Sequence, residues 1–164
     1  MRAMPQRAFV GVGANLGDAT DTVRAALRAL GQLPETELVA SSSLYRSAPV
    51  QASGPDFVNA VAELRTALGP IALLHRLQSI EQTFGRVRSV RNAPRTIDLD
   101  LLLLGDCVMP GPELVLPHPR AHLRAFVLWP LLELDPGLRL PGLGSLGPWL
   151  ASAADQPIER IEPA

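Results

Sequence analysis

Apolar residues recur along the chain with two spacings, a period of two that is typical of strands and a helical period near 3.6. The two-residue spacing predicts strands at residues 8–12, 37–46, 57–65 and 95–104. The helical spacing predicts a helix over 20–30, which ends at Gly31, and a second over 70–85, which begins at Pro70. The predicted order is therefore strand, helix, two strands, helix, strand.

This order predicts an α+β fold of the ferredoxin-like type, an α/β sandwich with an antiparallel central sheet. A doubly wound parallel sheet is the less favoured alternative. Further helices are predicted at 126–134 and 148–153, in a tail rich in glycine and proline. The chain has no repeat and no long linker, so residues 1–164 are predicted to form a single domain.

The predicted strand at 95–104 contains two aspartates, Asp98 and Asp100, within an apolar run. Strand geometry puts both carboxylates on one face, with their Cβ atoms about 6–7 Å apart. Two such charges repel by about 2 kcal/mol at an effective dielectric of about 20, so a half-buried pair favours a bound cation. Oxygen ligands alone favour magnesium or manganese over zinc. The apolar neighbours would share the opposite face: Ile97, Leu99, Leu101 and Leu103.

All 15 Lys and Arg residues are arginines, because the chain contains no lysine. This excludes a Walker A loop, a phosphate-binding lysine of the protein-kinase type and a Schiff-base enzyme. Guanidinium groups bind phosphate oxygens, so the aspartate pair and the arginines that precede it predict a site for a metal ion and a phosphate. An RNA-binding patch is disfavoured, since no aromatic residue lies between Gly85 and Asp100. Four arginines precede the aspartate pair: Arg86, Arg88, Arg91 and Arg95.

Composition limits the partners and the location of the protein. The net charge is −1, so no nucleic-acid partner and no membrane surface are expected. No apolar run reaches the roughly 20 residues that cross a bilayer, and the first 14 residues make a poor signal peptide. Cys107 is the only cysteine, which excludes an internal disulfide and a thiolate zinc cluster. A cytoplasmic location is therefore expected.

Three smaller features have a structural and a functional interpretation. The glycines of segment 11–17 resemble a dinucleotide fingerprint, but the third comes one position late, so a turn that needs glycine conformations is preferred. His118 and His122 lack a neighbouring glutamate and do not predict a zinc site. His118, between two prolines, is a better candidate for a phosphate or substrate contact. Trp129 and Trp149 are predicted to pack in the core.

Seven motifs, taken in order, resemble those of one known family. They are GANLGD at 13–18, SSLYRS at 42–47, PDFVNA at 55–60, EQTFGR at 81–86, PRTIDLD at 94–100, LPH at 116–118 and RAFVLWPL at 124–131. On these motifs the chain resembles the 6-hydroxymethyl-7,8-dihydropterin pyrophosphokinases of folate biosynthesis. The resemblance spans residues 8–136.

The resemblance implies a ferredoxin-like fold with an added hairpin and helices. It implies transfer of the β,γ-pyrophosphoryl group from ATP to the hydroxymethyl oxygen of 6-hydroxymethyl-7,8-dihydropterin, with release of AMP. It also implies two magnesium ions as cofactors, held by Asp98 and Asp100. A monomer is expected.

Residue roles implied by the resemblance form three sets. The catalytic set is Arg86, Arg95, Asp98 and Asp100. The ATP-binding set is Gln78, Glu81, Arg86, Arg95, His118 and Arg124. The pterin-binding set is Ser47, Ala48, Val50, Phe57, Asn59, Asp98 and Phe126. In this last set the two phenylalanines would sandwich the pterin ring, and Asn59 would hydrogen-bond its polar edge.

Two other functions stay open at this point. A non-catalytic nucleotide-binding or RNA-binding module on the same fold would bind without consuming ATP. Another small-molecule phosphotransferase with the same metal pair would release ADP instead of AMP. Product analysis separates all three.

Overall fold

The structure, a computed structural model, describes residues 4–15, 17–48, 55–85 and 97–164. The strands are β1 Gln6–Ala14, β2 Thr36–Ser41, β3 Leu44–Ser47, β4 Phe57–Thr66, β5 Asp98–Leu104, β6 Met109–Pro110, β7 Val115–Leu116, β8 Arg139–Leu140, β9 Gly144–Ser145 and β10 Ile158–Glu162. The helices are α1 Ala19–Leu30, α2 Pro70–Gly85, α3 Ala125–Leu134 and α4 Trp149–Ser152.

Six strands form one sheet in the order β10-β3-β4-β1-β5, with β2 also paired to β4. All of these pairs are antiparallel, so the alternative of a doubly wound parallel sheet is wrong. The chain is thus a mixed α/β fold built on an antiparallel sheet.

The single strand predicted over 37–46 is in fact two strands, because the ladder is interrupted at Ser42. The Ser42 hydroxyl accepts the Val61 N–H at 2.9 Å, and the Ser42 N–H donates to the Val61 carbonyl at 2.9 Å. A side-chain oxygen thus replaces a backbone acceptor. Beyond the break, β3 pairs with the beginning of β4, where Ser47 lies opposite Phe57.

Helices α1 and α2 cover one face of the sheet. Helix α1 is capped by Asp18, whose carboxylate accepts the Asp21 N–H at 3.1 Å. Its predicted apolar stripe is buried, as are three apolar residues of α2 that pack in the same core. These residues are Val23, Ala26, Leu27 and Leu30 of α1, with Leu73, Leu77 and Ile80 of α2.

Helix α3 covers only part of the opposite face. Its buried residues Leu128 and Leu131 belong to a second apolar cluster with Phe9 of β1. Trp129, which was predicted to pack in the core, is instead 48% exposed, because it lies on the side of α3 turned away from the sheet. Trp149 does pack against this cluster. The part of the face that α3 leaves uncovered borders a cavity.

The C-terminal part adds the hairpins β6–β7 and β8–β9, the short helix α4 and the strand β10. Strand β10 was not predicted. It pairs antiparallel with β3, with Ile158 opposite Ser47, and so reaches the edge of the sheet beside the cavity. Within the described ranges, no helix combines the length and the apolar character needed to span a membrane.

Candidate active site

A cavity of about 230 Å³ opens between the sheet and the beginning of α3. Eight residues predicted for the site line it: Ser47, Ala48, Phe57, Asn59, Asp98, Asp100, Arg124 and Phe126. Others that line it were not predicted: Gly11, Val12, Gly13, Ala60, Leu102 and Val127. The cavity thus brings carboxylates, an arginine, an amide and two phenylalanine rings together on one face.

Asp98 and Asp100 lie on the cavity face of β5, as predicted, while Leu99 between them is buried on the other face. On the neighbouring strand β1, Gly13 lies opposite Asp98 and Gly11 lies opposite Asp100. A glycine has no side chain to fill the space above the sheet, so the floor beside both carboxylates stays open.

The glycines of β1 therefore have a different role from the predicted turn. Gly11 and Gly13 belong to the strand itself, and only Gly17 of the three has a positive φ, at 58°. A Cβ atom built on Gly13 would lie 3.0 Å from Oδ1 of Asn59. Gly13 therefore leaves room for the Asn59 side chain. A Gly-x-Gly strand beside an Asp-x-Asp strand is the sequence signal that could have identified these two residues.

A β-bulge in β5 alters the alternation below the aspartates. Val10 pairs with Leu101 and Phe9 with Leu103, which leaves Leu102 as the extra residue. Leu103 therefore packs with Phe9 on the cavity side of the sheet, so its predicted place on the opposite face is wrong. The Leu102 carbonyl accepts the His118 N–H at 2.9 Å, which ties the loop that contains His118 to the bulge.

Asn59 is held inside the cavity wall and is 5% exposed. Its Nδ2 group donates to the Ser47 hydroxyl at 2.8 Å. The two phenylalanines lie at the beginnings of their elements, Phe57 as the first residue of β4 and Phe126 as the second of α3. Both rings are half-buried, so each keeps surface available to a flat ligand.

Two basic residues lie near the aspartates. The Arg124 guanidinium carbon lies 5.5 Å from the centroid of the Phe126 ring, in cation–π range. Burial lowers the pKa of His118; the charge of Asp100 opposes this, and the charges of Arg124 and Arg120 lower the pKa further. Nδ1 of His118 accepts the Arg120 N–H at 3.1 Å, so the neutral ring carries its proton on Nε2.

Three predicted residues of the ATP set do not line the cavity. Gln78 is exposed on α2, and His118 lies just outside the cavity. Glu81 accepts the Leu99 N–H through Oε2 at 2.8 Å, which links α2 to the segment between the two aspartates. Arg86, Arg95 and Val50 lie outside the described residues, and their roles stay predictions.

The donor set fits magnesium shared with a phosphate ligand. Asp98 and Asp100 offer only carboxylate oxygens, and magnesium is commonly held by one or two carboxylates together with substrate phosphates. No group of three or more metal-ligating side chains occurs in the described part of the chain. The remaining ligands would therefore come from substrate phosphates and water.

Comparison with known families gives a match over residues 9–136 to the model of the 7,8-dihydro-6-hydroxymethylpterin-pyrophosphokinases. The chain is similar to the 2-amino-4-hydroxy-6-hydroxymethyldihydropteridine pyrophosphokinase of Pseudomonas aeruginosa, with 48% identity over 96% of this chain and 98% of that one. The enzyme of the same name from Haemophilus influenzae is 40% identical over 95% of this chain and 98% of that one.

Solved structures show the same fold. A structure described as HPPK-DHPS in complex with substrates has a TM-score of 0.72 and 13% identity. Wild-type HPPK-DHPS of Plasmodium falciparum with pterin and p-hydroxybenzoate has a TM-score of 0.74 and 13% identity. Each match covers 92% of this chain and 43% of the solved chain, so this chain spans less than half of those proteins.

Proposed function

The chain belongs to the 7,8-dihydro-6-hydroxymethylpterin-pyrophosphokinase family, and we propose on this basis that it is the ATP-dependent enzyme that pyrophosphorylates 6-hydroxymethyl-7,8-dihydropterin in folate biosynthesis. The β,γ-pyrophosphoryl group of ATP passes to the hydroxymethyl oxygen, and AMP is released. The cavity is the observation that supports placing this reaction at one site, because the aspartate pair and the two phenylalanines line the same face of it.

The pterin occupies the slot between Phe57 and Phe126. Flat heteroaromatic rings bind well between aromatic faces, and a polar edge then needs few, well-placed hydrogen-bonding groups. The Asn59 amide supplies such groups, and its contact with Ser47 supports a fixed orientation. Ala48 and Val50 complete the pterin set, and Asp98 faces the hydroxymethyl end.

The triphosphate of ATP lies on the aspartate side of the cavity. Asp98 and Asp100 hold two magnesium ions, which supply charge neutralisation for the triphosphate when they are bound. Arg124 contacts phosphate at the edge of the cavity, and the protonated Nε2 of His118 donates to phosphate. Arg86 and Arg95 add guanidinium contacts, and Gln78 and Glu81 belong to the nucleotide side.

Catalysis in this arrangement depends on positioning and electrostatics, because phosphoryl-type transfer needs little covalent help from the protein. The slot orients the hydroxymethyl oxygen, and the aspartate side orients the triphosphate in line with it. Asp100 is one candidate to accept the hydroxyl proton, and loss of that proton assisted by a bound metal ion is the alternative. The arginines, together with the magnesium ions that the carboxylates would hold, would offset the negative charge on the transferred group.

Four further properties belong to this proposal. The fold is of the ferredoxin-like type, which the antiparallel order of β5, β1 and β4, with β2 and β3 both paired to β4, supports. Residues 1–164 form one domain, which acts as a monomer. Its location is the cytoplasm, as the cysteine usage suggests.

Product identity tests the function. The protein is mixed with ATP, magnesium and 6-hydroxymethyl-7,8-dihydropterin, and the nucleotide and pterin products are separated. We expect pterin-dependent AMP together with a pyrophosphorylated pterin. Release of ADP would identify a different phosphotransferase. A folded protein that binds ATP without turnover would support a binding module instead.

A further inference from the structure

We infer that Gln156 is a positioning residue of the active site, which fixes the beginning of α3 and thereby sets Arg124 and Phe126 in place. The inference rests on the roles proposed above for these two residues. Gln156 lies in the segment before β10, beyond the residues 9–136 that the family model matches.

The Gln156 carboxamide contacts the backbone on both sides of Arg124. The Ala125 N–H donates to Oε1 of Gln156 at 2.8 Å, and Nε2 of Gln156 donates to the Leu123 carbonyl at 2.8 Å. Both distances lie at the short end of the range for N–H···O bonds. One side chain therefore holds the residues before and after Arg124.

Helix α3 needs this contact because its first residue has no other cap. Arg124 is the N-cap residue, its backbone is extended at φ −115° and ψ 123°, and its side chain makes no capping hydrogen bond. The first N–H groups of a helix have no acceptor within the helix. Gln156 supplies the acceptor for Ala125, at the point where the chain changes from extended to helical. The directions of the Arg124 and Phe126 side chains depend on that change.

Apolar packing fixes this end of α3 from one side only, where Ala125 and Val127 are buried in the cluster that contains Phe9. A second cavity, of about 200 Å³, lies between Phe126, Ala125 and the segment 155–157. Side chains that border an empty space lose part of their dispersion contacts, so they are held less firmly from that side. The two hydrogen bonds of Gln156 cross from the C-terminal segment to α3 beside this cavity. They are therefore the contacts that hold the two together on the side where this cavity leaves the packing open.

The same segment also reaches the opposite wall of the pterin slot. Two residues after Gln156, Ile158 of β10 pairs with Ser47 of β3. The Ser47 hydroxyl in turn accepts the hydrogen bond from Asn59. Residues 156–158 therefore connect the wall that contains Ser47 and Asn59 to the wall that contains Phe126. This connection fixes the width of the slot.

A double-mutant cycle between Gln156 and Phe126 tests the inference. Methionine is close to glutamine in length and makes neither hydrogen bond, so Gln156→Met is introduced into the wild-type chain and into Phe126→Ala. The readout is the dissociation constant of 6-hydroxymethyl-7,8-dihydropterin, measured by calorimetry with thermal unfolding in parallel. In the wild-type background we expect an increase of about fivefold, which corresponds to about 1 kcal/mol of binding free energy. In the Phe126→Ala background we expect less than a twofold increase.

Matched controls separate this inference from its premise. Gln32→Met changes an exposed glutamine that makes no hydrogen bond through its side chain to any described residue, and it should leave pterin binding unchanged. Equal effects of Gln156→Met in both backgrounds, or no effect in the wild type, would overturn the inference while the role of Phe126 stands. If Phe126→Ala alone left binding unchanged, both the role of Phe126 and the inference would be wrong.

A variant that keeps one of the two contacts covers the case in which Gln156→Met does not fold. Gln156→Glu keeps the acceptor for the Ala125 N–H and loses the donor to Leu123. Gln156→Glu is introduced into the same two backgrounds. We expect the pterin dissociation constant to rise more in the wild-type background than in the Phe126→Ala background. Equal effects in the two backgrounds would again overturn the inference.

Discussion

Single residues of β1 and β5 create the space in which the chemistry takes place. Gly11 and Gly13 lie opposite Asp100 and Asp98, so no side chain of β1 stands between the carboxylates and the cavity. The lack of a side chain at Gly13 also leaves room for Asn59, because a Cβ atom on Gly13 would lie 3.0 Å from Oδ1 of Asn59. Substrate space and the orientation of the amide thus depend on the same glycine.

The aspartate pair gives the first prediction. Asp98→Ala or Asp100→Ala removes a proposed magnesium ligand, so we expect kcat to fall by at least about 100-fold, with the fold intact. Single-turnover release of AMP at saturating magnesium measures this. Asp106→Ala is the control, because Asp106 is exposed in the turn after β5. Either aspartate variant with normal turnover would contradict the metal assignment.

The aromatic slot gives the second prediction. Phe126→Ala removes one of the two proposed stacking faces, so the dissociation constant for the pterin should rise about tenfold or more, as for a base that loses one aromatic partner. Equilibrium titration of the pterin measures this. Trp129→Ala is the matched control, since Trp129 is an exposed aromatic residue of the same helix. A larger loss of affinity in the control than in Phe126→Ala would count against the slot.

At the scale of elements, helix α3 is joined to the break between β2 and β3 by one carboxylate. Glu133 accepts the Ser43 N–H at 3.0 Å, the Ser43 hydroxyl at 2.9 Å and the Tyr45 hydroxyl at 2.6 Å. Burial by itself would raise the pKa of Glu133, but these hydrogen bonds outweigh it and lower the pKa. Burial and the same carboxylate raise the pKa of Tyr45. The ionised form of Glu133 is thus the form that stabilises the fold.

This contact gives a prediction of pH-dependent stability. A carboxylate whose pKa is lower in the folded state stabilises the protein above its unfolded pKa of about 4.3, and the contribution is lost as the pH falls through the folded value. Glu133→Gln should therefore lower the free energy of unfolding by about 1 kcal/mol at pH 7. Denaturant unfolding at several pH values measures this.

Below both pKa values the Glu133→Gln variant and the wild type should be equally stable. Glu159→Gln serves as the control, because the Glu159 side chain is 67% exposed and pairs only with Arg46 in the described part of the chain. A difference between Glu133→Gln and the wild type that stayed constant with pH would contradict the account of Glu133.

The hydrophobic periodicity predicted the helices and strands that depend only on the local sequence. Helix α2 was predicted over 70–85 and is observed over Pro70–Gly85, and β4 was predicted within one residue of its observed end. The break at Ser42 was not predicted, because it depends on a hydrogen bond to Val61, 19 residues away. The bulge at Leu102 depends likewise on the register of a partner strand.

Non-local pairing also explains what was missed in the tail. Strand β10 is short and mostly polar, and only its pairing with β3 makes it a strand. The family resemblance predicted eight of the residues that line the cavity, among them Phe57, Asp98 and Phe126. It gave no indication of Gln156, because the seven motifs end at residue 131 and a capping contact from another element leaves no periodic signal. The predicted family itself is confirmed by the match over residues 9–136.

At the scale of the whole molecule, the two faces of the sheet differ in how completely they are covered. One face is closed by α1 and α2 over a continuous apolar core, whereas the other is only partly closed by α3. Ligands in this arrangement would contact β1, β4, β5 and the beginning of α3 together. We propose that this one cavity receives both the pterin and the triphosphate.

A crystal structure of the protein with 6-hydroxymethyl-7,8-dihydropterin, magnesium and a non-hydrolysable ATP analogue tests that claim most directly. We expect the pterin ring between Phe57 and Phe126, and two magnesium ions bound to Asp98 and Asp100 and to the triphosphate. A pterin bound elsewhere, for example in the open groove beside Gln6 and Cys107, or magnesium bound away from both aspartates, would contradict it.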